Sequence, residues 1–111
     1  SAFMKISRVG ADISKISCAV AVVRRGEQCA LCRIALGAVA PVPIRAKGAE
    51  SLLQGNQVSP SLVEKAGQKV AKEIRPIDDI RSTAAYRRDV ANVLFKDCFW
   101  TAWRRASGEE E

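Results

Sequence analysis

The sequence predicts an α+β fold in which an antiparallel sheet of three to four strands packs on about three helices. Two observations lead to this prediction. Apolar runs of strand length occupy the first part of the chain, and helical periodicity with capping residues follows, an order typical of the α+β class. At 111 residues, 48% hydrophobic and 27% charged, the chain is predicted to form one domain with a single core.

The strand region contains two runs joined by a short turn. Residues 17–24 (SCAVAVVR) and 28–36 (QCALCRIAL) are rich in β-branched and small apolar residues, and the turn at 25–27 predicts an antiparallel hairpin. Both runs are apolar on both faces, so we expect the sheet to be largely covered. Residues 41–45 (PVPIR) contain two prolines and fit only an edge strand or an extended segment.

Two helices are expected next. Residues 47–54 (KGAESLLQ) predict a short helix that Gly55 ends. Ser59 and Pro60 are typical of the N-cap and first position of a second helix, which the pair Arg75-Pro76 stops. The apolar stripe of this second helix comprises Leu62, Val63, Ala66, Val70 and Ile74.

The last helix is expected to begin near Ser82 or Thr83 and to run through Trp103. Its predicted inner side comprises Tyr86, Val90, Val93 or Leu94, Cys98 and Trp103. The domain is therefore assigned to residues 1–106, and the small acidic segment 107–111 to a frayed tail.

The chain lacks two features that many enzymes use. It contains no histidine, which removes the usual general base near neutral pH, the commonest metal ligand and the serine–histidine and cysteine–histidine pairs. Its glycines are isolated, and no GxGxxG or GxxxxGK[ST] phosphate loop occurs. This sequence alone therefore lacks an obvious cradle for a nucleotide.

The net charge of +6 is unevenly placed. Residues 1–47 hold eight Lys/Arg against Asp12 and Glu27, whereas residues 48–111 hold ten residues of each sign. This basic half fits a phosphate, a nucleic acid or an acidic partner, and a solvated basic surface explains it equally well. The segment 99–105 (FWTAWRR) mixes aromatic and basic residues. On a helix, Phe99 and Trp103 would be core partners four residues apart, so no nucleic-acid partner is predicted.

The four cysteines, Cys18, Cys29, Cys32 and Cys98, are expected to be buried, reduced and structural. A strand directs side chains three apart to opposite faces, so Cys29 and Cys32 are not expected to share a metal, and no second CxxC supplies further ligands. Neither a signal peptide nor a membrane span is expected, and the predicted location is the cytoplasm.

Residues 76–90 (PIDDIRSTAAYRRDV) combine two carboxylates with several arginines. They fit an acid/base site, a contact with a partner domain or a salt-bridged corner. Neighbouring arginines lower a carboxylate pKa and favour a permanent charge. We therefore favour the corner, with Asp79 paired to Arg81 or Arg87.

An ordered set of short motifs resembles the C-terminal domain of the FAD-binding (medium) subunit of molybdenum hydroxylases, the xanthine dehydrogenase and carbon monoxide dehydrogenase family. The resemblance covers about residues 3–105. The motifs are Phe3-x-Lys5-x-x-Arg8, Asp12-Ile13-Ser14, Arg33-Ile34-Ala35-Leu36-Gly37, Ala40-Pro41-x-Pro43-x-Arg45, Glu50-x-Leu52-Leu53-x-Gly55, Pro76-Ile77-x-Asp79-x-Arg81-Ser82 and Tyr86-Arg87.

This resemblance implies electron transfer. Family members place an FAD domain upstream, which is absent from this chain, and electrons pass from molybdopterin through [2Fe–2S] clusters on partner subunits or domains to FAD. NAD or another acceptor then receives them. The implied partners are the upstream FAD domain and the iron–sulfur and molybdopterin subunits, and the isolated domain is expected neither to hold FAD tightly nor to be catalytic.

By the same resemblance, the segment 3–15 runs beside the flavin. Met4 and Lys5 are the expected flavin-proximal residues, with Arg8 and Asp12 in a loop that shapes acceptor access. A lysine near the ring favours the reduced anionic flavin, while a solvent-facing lysine on a strand is the alternative. The small, apolar segment 9–11 departs from relatives that carry more charge there.

A second hypothesis is a non-catalytic dimerisation or interaction module without flavin chemistry, for which a homodimer is the expected partner state. The sequence identifies neither the substrate of a molybdenum site nor the electron acceptor.

Overall fold

The computed structural model describes residues 4–11, 16–37, 44–74 and 84–108. The elements in chain order are β1 (Met4–Ala11), β2 (Ile16–Arg25), β3 (Gln28–Gly37), β4 (Ile44–Arg45), α1 (Lys47–Leu53), α2 (Pro60–Glu73) and α3 (Ala84–Gly108). The described strands form one antiparallel sheet in the order β1-β2-β3-β4. This arrangement confirms the predicted α+β class.

The hairpin of β2 and β3 turns at Gly26, whose φ of 61° is the left-handed conformation that glycine adopts without steric cost. A β-bulge follows the turn: Val23 pairs with Leu31, but Arg24 pairs with Cys29. Ala30 is therefore an extra residue in β3. A bulge of this kind changes which face the following side chains occupy.

The bulge overturns one prediction about the cysteines. Cys29 and Cys32 are both fully buried, although regular alternation would place them on opposite faces. The extra residue between them resets the alternation and turns both thiols inward. All four cysteines are buried and free, as expected, and the Cys98 thiol donates to the backbone oxygen of Ser7 at 3.0 Å.

The core lies between the sheet and the helices. Helix α3 packs against β1 and β2, and α1 packs against β3. The large residues of this core that are fully buried include Val20, Val22, Ile34, Leu36, Phe95 and Phe99. Phe99 stacks on Trp103 with ring centroids 5.7 Å apart. Arg24 covers the same indole, its guanidinium carbon 4.2 Å from the ring centroid, so the aromatic segment 99–103 belongs to the core.

The opposite side of the sheet is uncovered by the described part of the chain, which overturns the expectation of a largely covered sheet. We call this side the outer sheet face. It comprises Ile6, Arg8, Ala19, Ala21, Arg33 and Ala35. Ile6 is 50% exposed and Ala35 is exposed. An apolar strand face therefore lies open within these residues.

Helix α2 begins and ends close to the predicted positions. The Ser59 side chain accepts a hydrogen bond from the backbone N–H of Leu62 at 3.1 Å, which confirms the N-cap, and Pro60 is the first helical residue. Ile74 is the C-cap. Residues 75–83, which include Pro76, Asp79 and Arg81, lie outside the described residues. The remainder of the predicted salt-bridged corner, 84–90, belongs to α3, so the pairing of Asp79 stays a prediction.

Helix α3 is longer than predicted, and most of its predicted inner side is confirmed. Cys98 and Trp103 are buried, and Val90 and Leu94 pack against the core. Tyr86 is 44% and Val93 61% exposed, so the inward placement of Tyr86 is wrong, and Leu94 rather than Val93 is the inward residue of that predicted pair. The buried stripe is Ala91, Phe95, Cys98, Phe99, Ala102, Trp103 and Ala106. At about 100° per residue, Val93 lies about 200° around the helix from Ala91. The helix also includes residues 107–108, whereas 109–111 lie outside the description.

Gly67 permits α2 and α3 to approach closely, which provides a test of the packing. A Cβ at Gly67 would overlap the side-chain amide of Asn92, whose Oδ1 is buried and has no hydrogen-bond partner among the described residues. Alanine normally stabilises a helix by about 1 kcal/mol over glycine, but overpacking costs about 1–3 kcal/mol. The overlapping oxygen is the end of the Asn92 side chain, which can turn aside, so we expect Gly67→Ala to fall short of the full helix-propensity gain in the free energy of unfolding measured by urea denaturation.

The exposed neighbour Gln68 supplies a control, since Gln68→Ala should change stability by about 0.5 kcal/mol or less. A Gly67→Ala protein that gains the full amount of about 1 kcal/mol would contradict the described α2–α3 contact.

Candidate functional site

The outer sheet face has a regular arrangement that follows from the strand register. In one row across the sheet, Arg8 faces Ala19, Ala19 faces Ala35 and Ala35 faces Arg45. The next row places Ile6, Ala21 and Arg33 side by side. Small side chains thus form the floor of a shallow groove of about 270 Å³, and guanidinium groups flank it.

The predicted site residues do not share one face. Arg8 lies in β1, so its predicted placement in a loop is wrong, and its exposed side chain belongs to the outer sheet face. Lys5 is half-buried and lies on the same side of β1 as the buried Ser7. The backbone of Met4 pairs with Val23, and Asp12 lies outside the described residues.

Helix α1 provides hydrogen-bond partners for the backbone of β3 at the edge of the sheet, beside the outer sheet face. Strand β4 has only two residues, so most of β3 would otherwise present unpaired backbone groups. Glu50 and Gln54, one helical turn apart, accept from the N–H groups of Ile34 at 2.8 Å and Cys32 at 3.1 Å. The N–H of Ala46 donates to the oxygen of Ile34 at 3.0 Å.

The same two acceptors hold two arginines. Arg45 donates from Nη2 and Nε to the carboxylate of Glu50 at 2.7 and 3.1 Å. Arg33 donates from Nη1 to Gln54 Oε1 at 2.9 Å. Arg33, Arg45 and Glu50 were predicted only as parts of family motifs, and their cluster with Gln54 was not predicted. The spacing of Glu50 and Gln54, which puts both on one side of a helix, was the available signal.

Glu50 is 5% exposed, and its ionisation is set by opposing effects. Burial, the largest effect, raises the pKa of this carboxyl group, and hydrogen bonds from Arg45 and from the Ile34 N–H lower it. The positive charges of Arg45 and Arg33 add to the lowering. The net pKa of Glu50 lies below its usual value, so Glu50 is a permanent anion near neutral pH.

Neither a membrane span nor a metal cluster is found in the described ranges. No helix there combines the length and the apolar character that crossing a bilayer requires. No group of three or more cysteine and carboxylate side chains within these ranges is placed to hold a metal ion.

The family described as CO dehydrogenase flavoprotein C-terminal domain matches residues 1–102. The chain belongs to this family. The match confirms the family expected from the ordered motifs, and it covers all four strands and most of α3.

Relatives in sequence include two medium chains. The carbon monoxide dehydrogenase medium chain of Hydrogenophaga pseudoflava is 30% identical over 106 residues, covering 96% of this chain and 37% of the relative. The glyceraldehyde dehydrogenase medium chain of Sulfolobus acidocaldarius is 31% identical over 97 residues, covering 87% and 34%. The chain thus spans little more than a third of the length of these relatives.

Solved structures of related proteins have the same fold. Carbon monoxide dehydrogenase from Hydrogenophaga pseudoflava superposes with a TM-score of 0.88 at 27% identity, over 96% of this chain and 39% of that chain. Quinoline 2-oxidoreductase from Pseudomonas putida 86 gives a TM-score of 0.85 over 93% and 38%, and at 22% identity it shows the fold alone. The sheet and helices described above are therefore the family fold.

The buried Glu50 predicts a pH dependence of stability. Because its folded pKa is lowered, its contribution is present above the unfolded pKa of about 4.3 and is lost as pH falls through the folded pKa. We expect Glu50→Gln to lower the free energy of unfolding at neutral pH by about 1–3 kcal/mol. The difference from the parent should shrink as pH falls below the unfolded pKa of about 4.3 and through the lowered folded pKa, as measured by urea denaturation across pH.

Glu64→Gln is the matched control, because Glu64 forms a 3.0 Å pair with Lys96 but is 56% exposed. Its effect should stay below about 1 kcal/mol. A Glu50→Gln effect that is equally small, or that grows as pH falls, would contradict a buried ionised carboxylate.

Proposed function

We propose that this chain is the C-terminal domain of an FAD-binding subunit in a molybdenum hydroxylase, and that its outer sheet face packs against an upstream FAD domain. The observation that supports this proposal is the open face itself. Its floor of alanines lies on the side of the sheet away from a core that α2 and α3 already fill. Family membership and the coverage of little more than a third of the relatives support a larger parent protein.

The residues of this face are suited to cover one side of the FAD site and not to bind the cofactor tightly. The small side chains of Ala19, Ala21 and Ala35 permit a close approach by a flat group or a neighbouring backbone, and Arg8 adds a positive charge at the margin. The chain has no glycine-rich phosphate loop. Binding of the FAD pyrophosphate therefore belongs to the upstream domain in this proposal.

When bound, FAD would exchange electrons between the [2Fe–2S] clusters and NAD or another acceptor. The contribution of this chain would be to exclude water from one side of the flavin site and to place positive charge near it. Met4, Lys5 and Asp12 remain candidates for flavin proximity. The half-buried Lys5 is the second residue of β1, whose other side carries Arg8.

The proposed partners follow from the family. Subunits carrying iron–sulfur clusters and molybdopterin would supply the electrons. One related carbon monoxide dehydrogenase is described as lacking the Mo-pyranopterin moiety of its molybdenum cofactor, and another as a Cu,Mo enzyme. A cytoplasmic location agrees with four buried cysteines that are all free, since reducing compartments keep thiols unpaired.

Flavin retention provides the test. The 111-residue chain and a polypeptide extended upstream of Ser1 by its own coding sequence would be purified and desalted in the presence of FAD, and visible absorbance measured. We expect flavin on the extended protein alone. In that protein, Arg8→Glu should weaken FAD retention by about tenfold or more, because it places a carboxylate at an interface beside an anionic cofactor.

Arg104→Glu supplies the charge-matched control, because Arg104 is exposed on α3, away from the outer sheet face, and FAD retention should be unchanged. Tight FAD binding by the 111 residues alone would overturn the proposed division between the domains. Equal effects of both variants would show that only net charge matters. A flavin-free dimer of the extended protein would favour the dimerisation module instead.

A further inference from the structure

A second concave surface lies where β3, β4 and α1 meet. This cleft has a volume of about 390 Å³ and is lined by Arg33, Arg45, Lys47, Glu50, Ser51 and Gln54. Three cationic side chains and one carboxylate give a net charge of three minus one, or +2. Three of the eight basic residues of the N-terminal half therefore converge on one cleft, and two of them, Arg33 and Arg45, also flank the groove of the outer sheet face.

The two guanidinium groups in the cleft are held in place by buried or backbone-bound acceptors. Glu50, which receives two hydrogen bonds from Arg45, is itself fixed by the N–H of Ile34 at 2.8 Å. Gln54 accepts a hydrogen bond from Arg33 and is itself fixed by a hydrogen bond from the N–H of Cys32. Arg33 also donates to the backbone oxygen of Cys32 at 2.9 Å. Such prior fixing reduces the entropy lost when a ligand binds.

Each arginine is held through only part of its donor set. Arg45 uses Nε and Nη2, and Arg33 uses Nη1. Within the described residues, no hydrogen bond engages Nη1 of Arg45, Nε or Nη2 of Arg33, or the ammonium of Lys47. The side chain of Arg45 is 46% exposed. Donors on three cations thus remain available to a ligand.

We propose that this cleft binds the phosphate group of a small phosphorylated molecule. Guanidinium groups match the oxygens of phosphate in a bidentate geometry, and lysine adds a point charge. A net charge of +2 in the cleft complements a phosphate dianion. The volume exceeds that of a phosphate ion, so room remains for the group that carries it. The proposal does not require bound flavin, because Lys47, Glu50 and Gln54 line this cleft and not the groove of the outer sheet face.

Isothermal titration calorimetry on the 111-residue chain tests this proposal with three probes: inorganic phosphate, adenosine 5′-monophosphate and the uncharged nucleoside adenosine. We expect saturable one-to-one binding of both phosphate-bearing probes and none of adenosine. Binding should weaken with added salt, because partly exposed charges are screened. A higher affinity for the monophosphate would identify a phosphate ester as the ligand, and equal affinities would identify the free ion.

A pair of charge-matched double variants separates the cleft from the general basic charge of the chain. Arg33→Gln combined with Lys47→Gln should weaken phosphate binding by about tenfold or more. Arg104→Gln combined with Lys65→Gln removes the same charge from exposed helix positions and should leave the affinity unchanged. Arg45 is left intact in both, because its loss would leave Glu50 as a buried unpaired anion.

Two results would overturn the proposal. One is the absence of saturable binding of either phosphate-bearing probe at millimolar concentrations and at a physiological ionic strength of about 0.15 M. The other is equal weakening by both double variants, which would assign the interaction to net charge. Neither result measures FAD retention, which tests the proposed function separately.

Discussion

The carboxylate of Glu50 joins helix α1 to the edge of the sheet. It lies almost fully buried, accepts from the backbone of β3 and from Arg45, and so fixes α1 against a sheet edge that a two-residue strand cannot cover. A helix of seven residues is marginal alone, and α1 also depends on Glu73, whose carboxylate accepts from the N–H groups of Gly48 and Ala49. The cationic cleft exists because these contacts hold α1 in place.

The sheet has two unlike sides, and this asymmetry connects packing with function. The inward side of the sheet packs against α3 at β1 and β2 and against α1 at β3, while the other side presents alanines flanked by arginines. A folded domain with a complete core and an open apolar strand face is suited to pack against a second layer. Membership in a flavoprotein family whose relatives are much longer chains gives that second layer an identity under our proposal.

Local signals predicted the fold well, and non-local contacts set the limit. The hairpin at Gly26 and the cap at Ser59 depend on neighbouring residues, and both were predicted from the sequence. The bulge at Ala30 arises from pairing between strands, so the shared face of Cys29 and Cys32 was missed. Val93 appeared apolar enough to face inward because composition does not reveal helix rotation. The cluster of Arg33 with Gln54 joins residues 21 positions apart, which no local pattern indicates.

The central claim is that the outer sheet face is covered in the parent protein, and thiol labelling tests it most directly. The native cysteines are at most 2% exposed, so a cysteine introduced by Ala35→Cys would report on this face alone, with Ser61→Cys on α2 as an exposed control. We predict rapid labelling of Ala35→Cys in the 111-residue chain and strong protection in the protein extended upstream of Ser1, with Ser61→Cys labelled equally in both. Equal labelling of Ala35→Cys in the two proteins would contradict the account.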